Sequence, residues 1–400
     1  MAMNADKAVR RVSVLGSTGS VGRNTLDLLL RDPGHFEVES LTANRNVELL
    51  AHQARQTRAK CAVVADPAAY KRLQHALSGS GTEVAAGPDA IAEAGARSAE
   101  WVMAAIVGFA GLPPILKAAA RGATIALANK EALVCAGSLL MDAVKRGGAT
   151  LLPVDSEHNA IFQCLEERNR DQVERLVLTA SGGPFRTWST EAMATATPPQ
   201  ALKHPNWDMG AKISIDSATM MNKGLELIEA YHLFGLPGER IEIVVHPQSV
   251  IHSMVAYTDG SVLAQLGTPD MRTPIAHALA WPGRMPGPSP RLDFRTLGAL
   301  TFEPPDERRF PALKLARQAL VDVSFYPVIM NASNEIAVES YLKYKISFPE
   351  IAQIVENVLE LIGMRRKFND NTRDIEFVVD LDTEARREAR RLCESRAINH

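Results

Sequence analysis

Apolar positions along this chain follow two different periods. Val12–Leu15 is a short, mainly apolar run next to charged residues, which predicts a strand, and the residues from the following glycine turn to Leu30 predict a helix. Phe36–Ala43 predicts a second strand. From Cys61 to Ala149, brief β-rich runs alternate with alanine-rich amphipathic segments, and Cys61–Val64, Trp101–Val107, Thr124–Leu127 and Ala149–Leu152 are candidate strands. This alternation predicts an α/β chain whose N-terminal part is a doubly wound parallel sheet. After Leu152 the rhythm breaks. Leu176–Leu178, Ile241–Tyr257 and Val262–Leu266 predict a further sheet, and Ile213–Ala230 is expected to run from a strand into a helix. Between them the stretch to Lys212 holds Trp188, Pro198, Pro199, His204, Pro205 and Trp207 with little periodicity, as expected of a lid with an aromatic anchor. Seven prolines between Pro282 and Pro311 predict an extended linker. Beyond it, Ile351, Ile354, Val355, Val358, Leu361 and Ile362 form a helical core stripe, opened by Ser347 and Glu350 in capping-box spacing.

The expected organisation is therefore a Rossmann-like domain over residues 1–153 and a central α+β catalytic domain over 154–285, with a flap at about 181–211. A linker over 286–310 and a C-terminal helical bundle over 311–400 complete it.

Composition narrows the class. Four hundred residues exceed one ordinary core. A net charge of −2 leaves no electrostatic footprint for nucleic acid or an anionic membrane. Cys61, Cys135, Cys164 and Cys393 are scattered, without disulfide or metal spacing, so a reducing cytosol is expected. Long uncharged runs such as Trp101–Leu116 are broken by Gly and Pro-Pro and fall short of a membrane span, and Met1–Arg11 has no apolar signal region. A cytoplasmic protein with a small-molecule partner is expected.

Candidate chemistry lies at the predicted strand exits. Gly16-Ser17-Thr18-Gly19-Ser20-Val21-Gly22 follows a strand and opens a helix, the setting in which backbone amides hold a dinucleotide pyrophosphate. After the second strand, Asn44-Arg45-Asn46 lacks the acid that an NAD ribose prefers, and Arg45 offers a partner for the 2′-phosphate of NADP. Asn129, Lys130 and Glu131 also follow a strand, and a lysine at a helix N-terminus opposes the macrodipole and so needs a reason. Asp155-Ser156-Glu157 suits either a hard-metal half-site or plain helix capping. Ser181-Gly182-Gly183 offers a hydroxyl and a pliant backbone to a phosphate. Asn222, Lys223 and Glu226 share one side of a helix, although spacing leaves Glu226 and Glu229 equally eligible as a third acid. His246 and His252 read as structural.

These blocks, with Pro153-Val154-Asp155-Ser156-Glu157-His158, His204-Pro205-Asn206-Trp207-Asp208-Met209-Gly210 and His246-Pro247-Gln248-Ser249, resemble the 1-deoxy-D-xylulose 5-phosphate reductoisomerases over nearly the whole chain. The resemblance implies an NADPH- and metal-dependent homodimeric enzyme that rearranges and reduces a keto-sugar phosphate. It implies Asp155, Glu157 and Glu226 as ligands of Mg²⁺ or Mn²⁺, with Co²⁺ also compatible. It places Ser181, Ser217, Asn222 and Lys223 on the substrate phosphate with His204 nearby, and Ser156, Glu157 and Lys130 at the reacting end. Lys130, Glu157 and His204 are its catalytic candidates. Ser17, Thr18, Gly19, Ser20, Val21, Asn44, Arg45, Asn46, Asn129, Glu131 and Gly210 would contact NADPH, and Trp207 and Met209 would belong to the flap. The sequence departs from the family at Asn44-Arg45, at Ala256, and at Val323-Ser324-Phe325-Tyr326 before Asn331-Ala332-Ser333-Asn334-Glu335. Two other readings are a semialdehyde-dehydrogenase-like enzyme using Cys135 or Cys164, and a non-catalytic NADP sensor; both leave the three acids without a role.

Overall fold

The computed structural model describes residues 9–207, 209–365 and 374–397. Asp208 of the flap motif, Met1–Ala8 at the start of the first predicted domain and part of the C-terminal segment lie outside the described residues. The chain packs as two compact units. Residues up to Ala132, Leu140–Asn159 and Asp270–Pro290 make the first; Leu133–Leu139, Ala160–Pro269 and the chain from Arg291 onward make the second.

In the first unit, β1 (Arg10–Leu15), β2 (Phe36–Ala43), β3 (Cys61–Val64), β4 (Glu83–Ala86), β5 (Trp101–Ala104), β6 (Thr124–Leu127) and β7 (Thr150–Pro153) form one sheet. The order is β4-β3-β2-β1-β5-β6-β7 and every pairing is parallel. Helices α1 (Ser20–Leu30), α2 (Val47–Thr57), α3 (Tyr70–Ala76), α4 (Pro88–Ala96), α5 (Leu112–Ala120) and α6 (Lys130–Gly147) make the crossovers. Strands of a doubly wound sheet are covered on both faces, so they are largely apolar: Val12, Val14, Val102, Met103, Ile125 and Leu127 are inaccessible. The strand order turns back between β1 and β5, the switch point at which such sheets take ligands past their strand ends.

The predicted strand Trp101–Val107 ends early, at Ala104. The carbonyls of Ile106 and Gly108 accept from the Asn129 side chain instead of continuing a ladder. β4 has no counterpart among the predicted strands; it is short, an edge, and only partly buried.

Much later in the chain, α12 (Arg272–Ala280) belongs to this same unit. The Trp101 indole donates to the Ala278 carbonyl (3.0 Å) and the Arg10 guanidinium to the Leu279 carbonyl (2.6 Å). Arg272 pairs with Asp270 (2.7 Å) and reaches Asp27 on α1 (3.3 Å).

The second unit carries a mixed sheet of β8 (Val173–Ala180), β9 (Ile241–Val245), β10 (Ile251–Tyr257) and β11 (Val262–Leu266) in the order β11-β10-β8-β9. Only β8 and β9 run parallel. Ala256, one of the departures from the family pattern, is a buried β10 residue paired with Arg175. Between β8 and β9 lie α8 (Thr190–Ala194), α9 (Pro198–Ala201), α10 (Ala211–Ala218) and α11 (Met221–Phe234). The strand expected at Ile213 is therefore a helix. Alternation over Ile213-Ser214-Ile215-Asp216 suggested period two, but Lys212 and Asp216 pair across one helical turn (2.6 Å) and Ser214, Ile215 and Asp216 are all buried.

The C-terminal helices α13 (Ala312–Ala319), α14 (Tyr326–Leu342), α15 (Phe348–Arg365) and α16 (Ile375–Ala397) follow the proline-rich segment, in which Glu303 makes an isolated bridge to Val245. Ile351, Ile354, Val355, Val358 and Ile362 are fully buried, as the helical stripe predicts, and each contributes about 1.5–3 kcal/mol of burial, whereas Leu361 of the predicted stripe is only half-buried. Glu350 accepts from both the backbone (2.7 Å) and the hydroxyl (2.8 Å) of Ser347 at the start of α15. No helix among the described residues is long and apolar enough to cross a membrane.

Candidate functional site

The turn after β1 is shaped by two glycines. Gly16 has φ +86°, and a Cβ there would sit 2.5 Å from the Ala105 carbonyl oxygen at the exit of β5. A Cβ on Gly22 would meet the Gly16 oxygen at 2.3 Å. Gly19 lacks such crowding: its Cβ would find ordinary space, so it serves access rather than packing. Gly19 precedes α1 without a side-chain cap, which leaves a bare helix N-terminus suited to an anion. Thr18 to Val21 are accessible, whereas Ser17 is fully buried. Its hydroxyl donates to Gln53 (2.8 Å), whose amide returns a bond to the Ser17 carbonyl (3.0 Å). Ser17 can thus face a cofactor only through its backbone. Asn46 caps α2 by accepting from Leu49 N (3.1 Å), and the exposed Arg45 pairs with Asp66 (3.0 Å).

Asn129 caps α6, accepting from Ala132 N (2.9 Å). The next residue resolves the puzzle of a cation at a helix N-terminus: the Lys130 ammonium lies 2.6 Å from Asp155 Oδ2, and both side chains are nearly buried. Burial pushes the Asp155 carboxyl upward, but Lys130 and His158 outweigh it and hold it well below the usual carboxylate range. Asp155 is anionic and already faces a cation. Its other oxygen accepts from Glu157 N (3.3 Å), and the Ser156 hydroxyl donates to Glu157 (2.6 Å). Helix capping and a charged half-site are thus both present where α7 (Ser156–Cys164) begins. Oxygen-only donors, one of them strongly ionised, fit a hard divalent cation.

The second unit holds its own polar cluster. Ser181 leaves β8 and its hydroxyl lies 2.9 Å from His204 Nε2. His204 Nδ1 accepts from the backbone amides of Asn206 (3.1 Å) and Trp207 (3.0 Å), so the ring proton of the neutral form sits on Nε2, facing Ser181. Burial lowers the His204 pKa to about 4, which keeps the ring neutral near neutral pH. Asn206 is tied to Pro247 O (2.7 Å) and Ser249 Oγ (2.9 Å), and Trp207 packs 6.3 Å from the His252 ring. Burial, together with charges that include Lys223, lowers His252 to about 4 as well. His246 is structural, as expected, bonding Thr301 O (2.9 Å) and Val250 N (3.2 Å). His252 is a residue that sequence reasoning set aside; its place beside Trp207 left no local signal.

Gly183, at φ +67°, fits the Ser181 loop against α10: a Cβ there would lie 2.6 Å from the Ser217 oxygen. The residue before α11 is Met220, in the left-handed region at φ +61°. Thr219 still accepts from Met221 N (3.3 Å). From the first turn of α11, Asn222 donates to Glu226 Oε1 (2.5 Å) and Lys223 donates to Oε2. Glu226 and Glu229 are equally buried, so burial does not separate them; Glu226 accepts from Asn222 and Lys223. Within this unit the structure brings together Ser181 with His204, and Asn222 with Lys223 and Glu226. Within the first unit it brings together Lys130, Asp155, Ser156 and Glu157.

Family models described as 1-deoxy-D-xylulose 5-phosphate reductoisomerase, its C-terminal domain, and DXP reductoisomerase C-terminal domain match residues 12–137, 151–234 and 266–388. The 1-deoxy-D-xylulose 5-phosphate reductoisomerase of Zymomonas mobilis is 58% identical over 386 residues, covering 96% of this chain and 98% of the relative. That of Rhodospirillum centenum is 58% identical over 379 residues, covering 95% and 93%. Among solved structures, the Zymomonas mobilis enzyme in complex with NADPH superposes with a TM-score of 0.89 at 55% identity, covering 96% of this chain and 99% of that one. A DOX-P reductoisomerase in complex with NADPH, fosmidomycin and magnesium superposes with a TM-score of 0.92 at 42% identity, covering 96% and 98%.

Proposed function

The chain belongs to the 1-deoxy-D-xylulose 5-phosphate reductoisomerase family, and from that premise we propose that it converts 1-deoxy-D-xylulose 5-phosphate to 2-C-methyl-D-erythritol 4-phosphate. NADPH and Mg²⁺ or Mn²⁺ serve the reaction, which belongs to the non-mevalonate route to isoprenoid precursors. The observation that carries the reading is the buried Lys130–Asp155 pair beside Glu157 at the exit of β7. A fixed ammonium and two acids at one strand end are what a reaction that builds charge on substrate oxygens requires.

We assign Asp155, Glu157 and Glu226 as the metal ligands, Ser156 and Lys130 to the reacting end of the substrate, and Ser181, His204, Ser217, Asn222 and Lys223 to its phosphate. The turn from Ser17 to Val21, with Asn44, Arg45, Asn46, Asn129, Glu131 and Gly210, is assigned to NADPH. Held by these residues, the cation would supply charge stabilisation to substrate oxygens and NADPH would supply the hydride. Lys130 then donates a hydrogen bond to the oxygen that gains charge, and Ser156 orients the neighbouring hydroxyl. His204 presents Nε2–H as a neutral donor. The phosphate takes no part in bond making, and its binding orients the reacting end. Trp207 and Met209 close over the substrate and keep water from the aldehyde. In this reading residues 1–153 hold NADPH, 154–285 carry the chemistry, 286–310 connect, and 311–400 buttress.

NADPH consumption with 1-deoxy-D-xylulose 5-phosphate is the test. Turnover is expected to vanish with EDTA, to return with Mg²⁺ and to survive thiol alkylation, because all four cysteines are buried and burial raises the Cys61 and Cys164 thiols to about 11. Turnover indifferent to EDTA and lost on alkylation would instead support the semialdehyde-dehydrogenase reading, and tight NADPH binding without turnover would support a sensor.

We further propose a cytoplasmic homodimer. The edge strand β11 exposes Val262 (52%) and Leu263 (40%), apolar surface that a sheet edge seldom leaves uncovered. Sedimentation at micromolar concentration is expected to show a dimer; a monomer would refute it.

A further inference from the structure

We propose that Asp216 is a positioning residue for the phosphate-binding groups, holding α10 on α14 so that Ser217 and the first turn of α11 present one fixed surface. The inference rests on the assignment of Ser181, Ser217, Asn222 and Lys223 to the substrate phosphate.

Asp216 is 1% exposed and precedes Ser217 directly. Its carboxylate accepts from the Asn334 amide (2.8 Å) and pairs with Lys212 (2.6 Å) in the first turn of α10, where the flap ends. Asn334 on α14 is fully buried, and the same stretch of α14 continues the polar seam. Asn331 donates to Glu335 (3.1 Å), and Glu335 pairs with Arg386 on α16 (2.8 Å), which also pairs with Asp382 (2.6 Å). This accounts for Asn331-Ala332-Ser333-Asn334-Glu335, a motif to which the proposed chemistry gives no role. A buried carboxylate is a poor source of stability, since apolar side chains of similar volume pack at least as well; what it adds is one permitted arrangement.

That arrangement passes directly to the phosphate groups. The Thr219 hydroxyl donates to carbonyls of α10, to Ile215 O (3.1 Å) or Asp216 O (3.2 Å), and accepts from Met221 N (3.3 Å), linking the last turn of α10 to the start of α11. Gly183 leaves the Ser181 loop no slack, because even a Cβ would press on the Ser217 oxygen at 2.6 Å. A shift of Asp216 therefore moves Ser217, the α11 N-terminus and the loop against them, while leaving the nucleotide turn of the other unit untouched.

Steady-state kinetics on Asp216→Ala, Asn334→Asp, the exchange Asp216→Asn/Asn334→Asp and the control Lys223→Ala test this. Asp216→Ala is expected to raise the substrate KM about tenfold, with kcat within about threefold and the NADPH KM unchanged. Asn334→Asp sets two carboxylates face to face and should raise KM similarly. The exchange restores one acid and one amide and should bring KM back to within about threefold of the parent. Should Asp216→Ala fail to fold, the Asn334→Asp and exchange variants decide. Absence of rescue, or a fall in kcat with KM unchanged, overturns the proposal. If Lys223→Ala leaves KM unchanged, the phosphate assignment itself fails; if Lys223→Ala raises KM while the Asp216 and Asn334 variants do not, only the positioning role fails.

Discussion

Glu226→Gln is expected to lower metal-dependent kcat/KM by about 10²–10³, whereas Glu229→Gln should stay within about fivefold of the parent. Both carboxylates are buried on α11, so the contrast does not come from burial. Glu226 accepts on both oxygens, from Asn222 and from Lys223. A glutamine offers one acceptor and turns its own NH₂ toward one of those donors, so the substitution removes charge and misaligns the two groups assigned to the phosphate. A hard cation loses an anionic ligand in the same step. Mn²⁺ titration followed calorimetrically should show weaker binding for Glu226→Gln and near-parental binding for Glu229→Gln. Equal behaviour of the two variants would refute the ligand assignment.

Lys130→Met should be nearly as damaging, with kcat lower by about 10²–10³ at saturating Mg²⁺. It should also destabilise the fold, because removing one member of a buried pair strands the other at a cost of about 3–5 kcal/mol. The pH dependence has a definite sign. In the parent, Asp155 is held well below the ordinary carboxylate value despite its burial, so its contribution to stability is complete above that ordinary value and is lost as pH falls through the depressed one. Without Lys130, burial dominates and the Asp155 pKa rises. Protonating Asp155 then costs the variant less than the parent, so the variant's stability deficit, measured by denaturant unfolding followed by circular dichroism, should be largest near neutral pH and shrink as pH falls. A deficit that stays constant from neutral to acid pH would mean that Lys130 is not what keeps Asp155 ionised.

The parallel sheet was legible because strands covered on both faces are largely apolar, and a glycine turn marks the end of the first. β4 escaped notice since an edge strand needs only one covered flank. Ile213 misled for a related reason: four residues of alternation match a strand, and only the distant Asn334 reveals that Asp216 faces a helix bundle. Lys130 was readable as an anomaly, a cation on the wrong end of a helix, although the partner that resolves it, Asp155, lies one strand away. Glu226 and Glu229 are inseparable by spacing, since both fall on the buried side of α11. His252 and Gln53 were invisible as contributors, because each acts on a residue far away in the chain.

The return of α12 to the first unit has a consequence for how the protein is made. Trp101 sits wholly inside the nucleotide-binding sheet, yet its indole N–H finds its acceptor only at Ala278, and Arg10 of the first strand reaches Leu279. A ribosome that has released residues 1–153 has therefore not yet released a finished domain. The sheet must wait, with that flank uncovered, while the whole β8–β11 segment is synthesised, and closing so long a loop slows folding. An excised fragment ending at Pro153 is expected to be insoluble or loosely packed, whereas one in which a short linker joins Asn159 to Asp270–Pro290 should fold and bind NADPH.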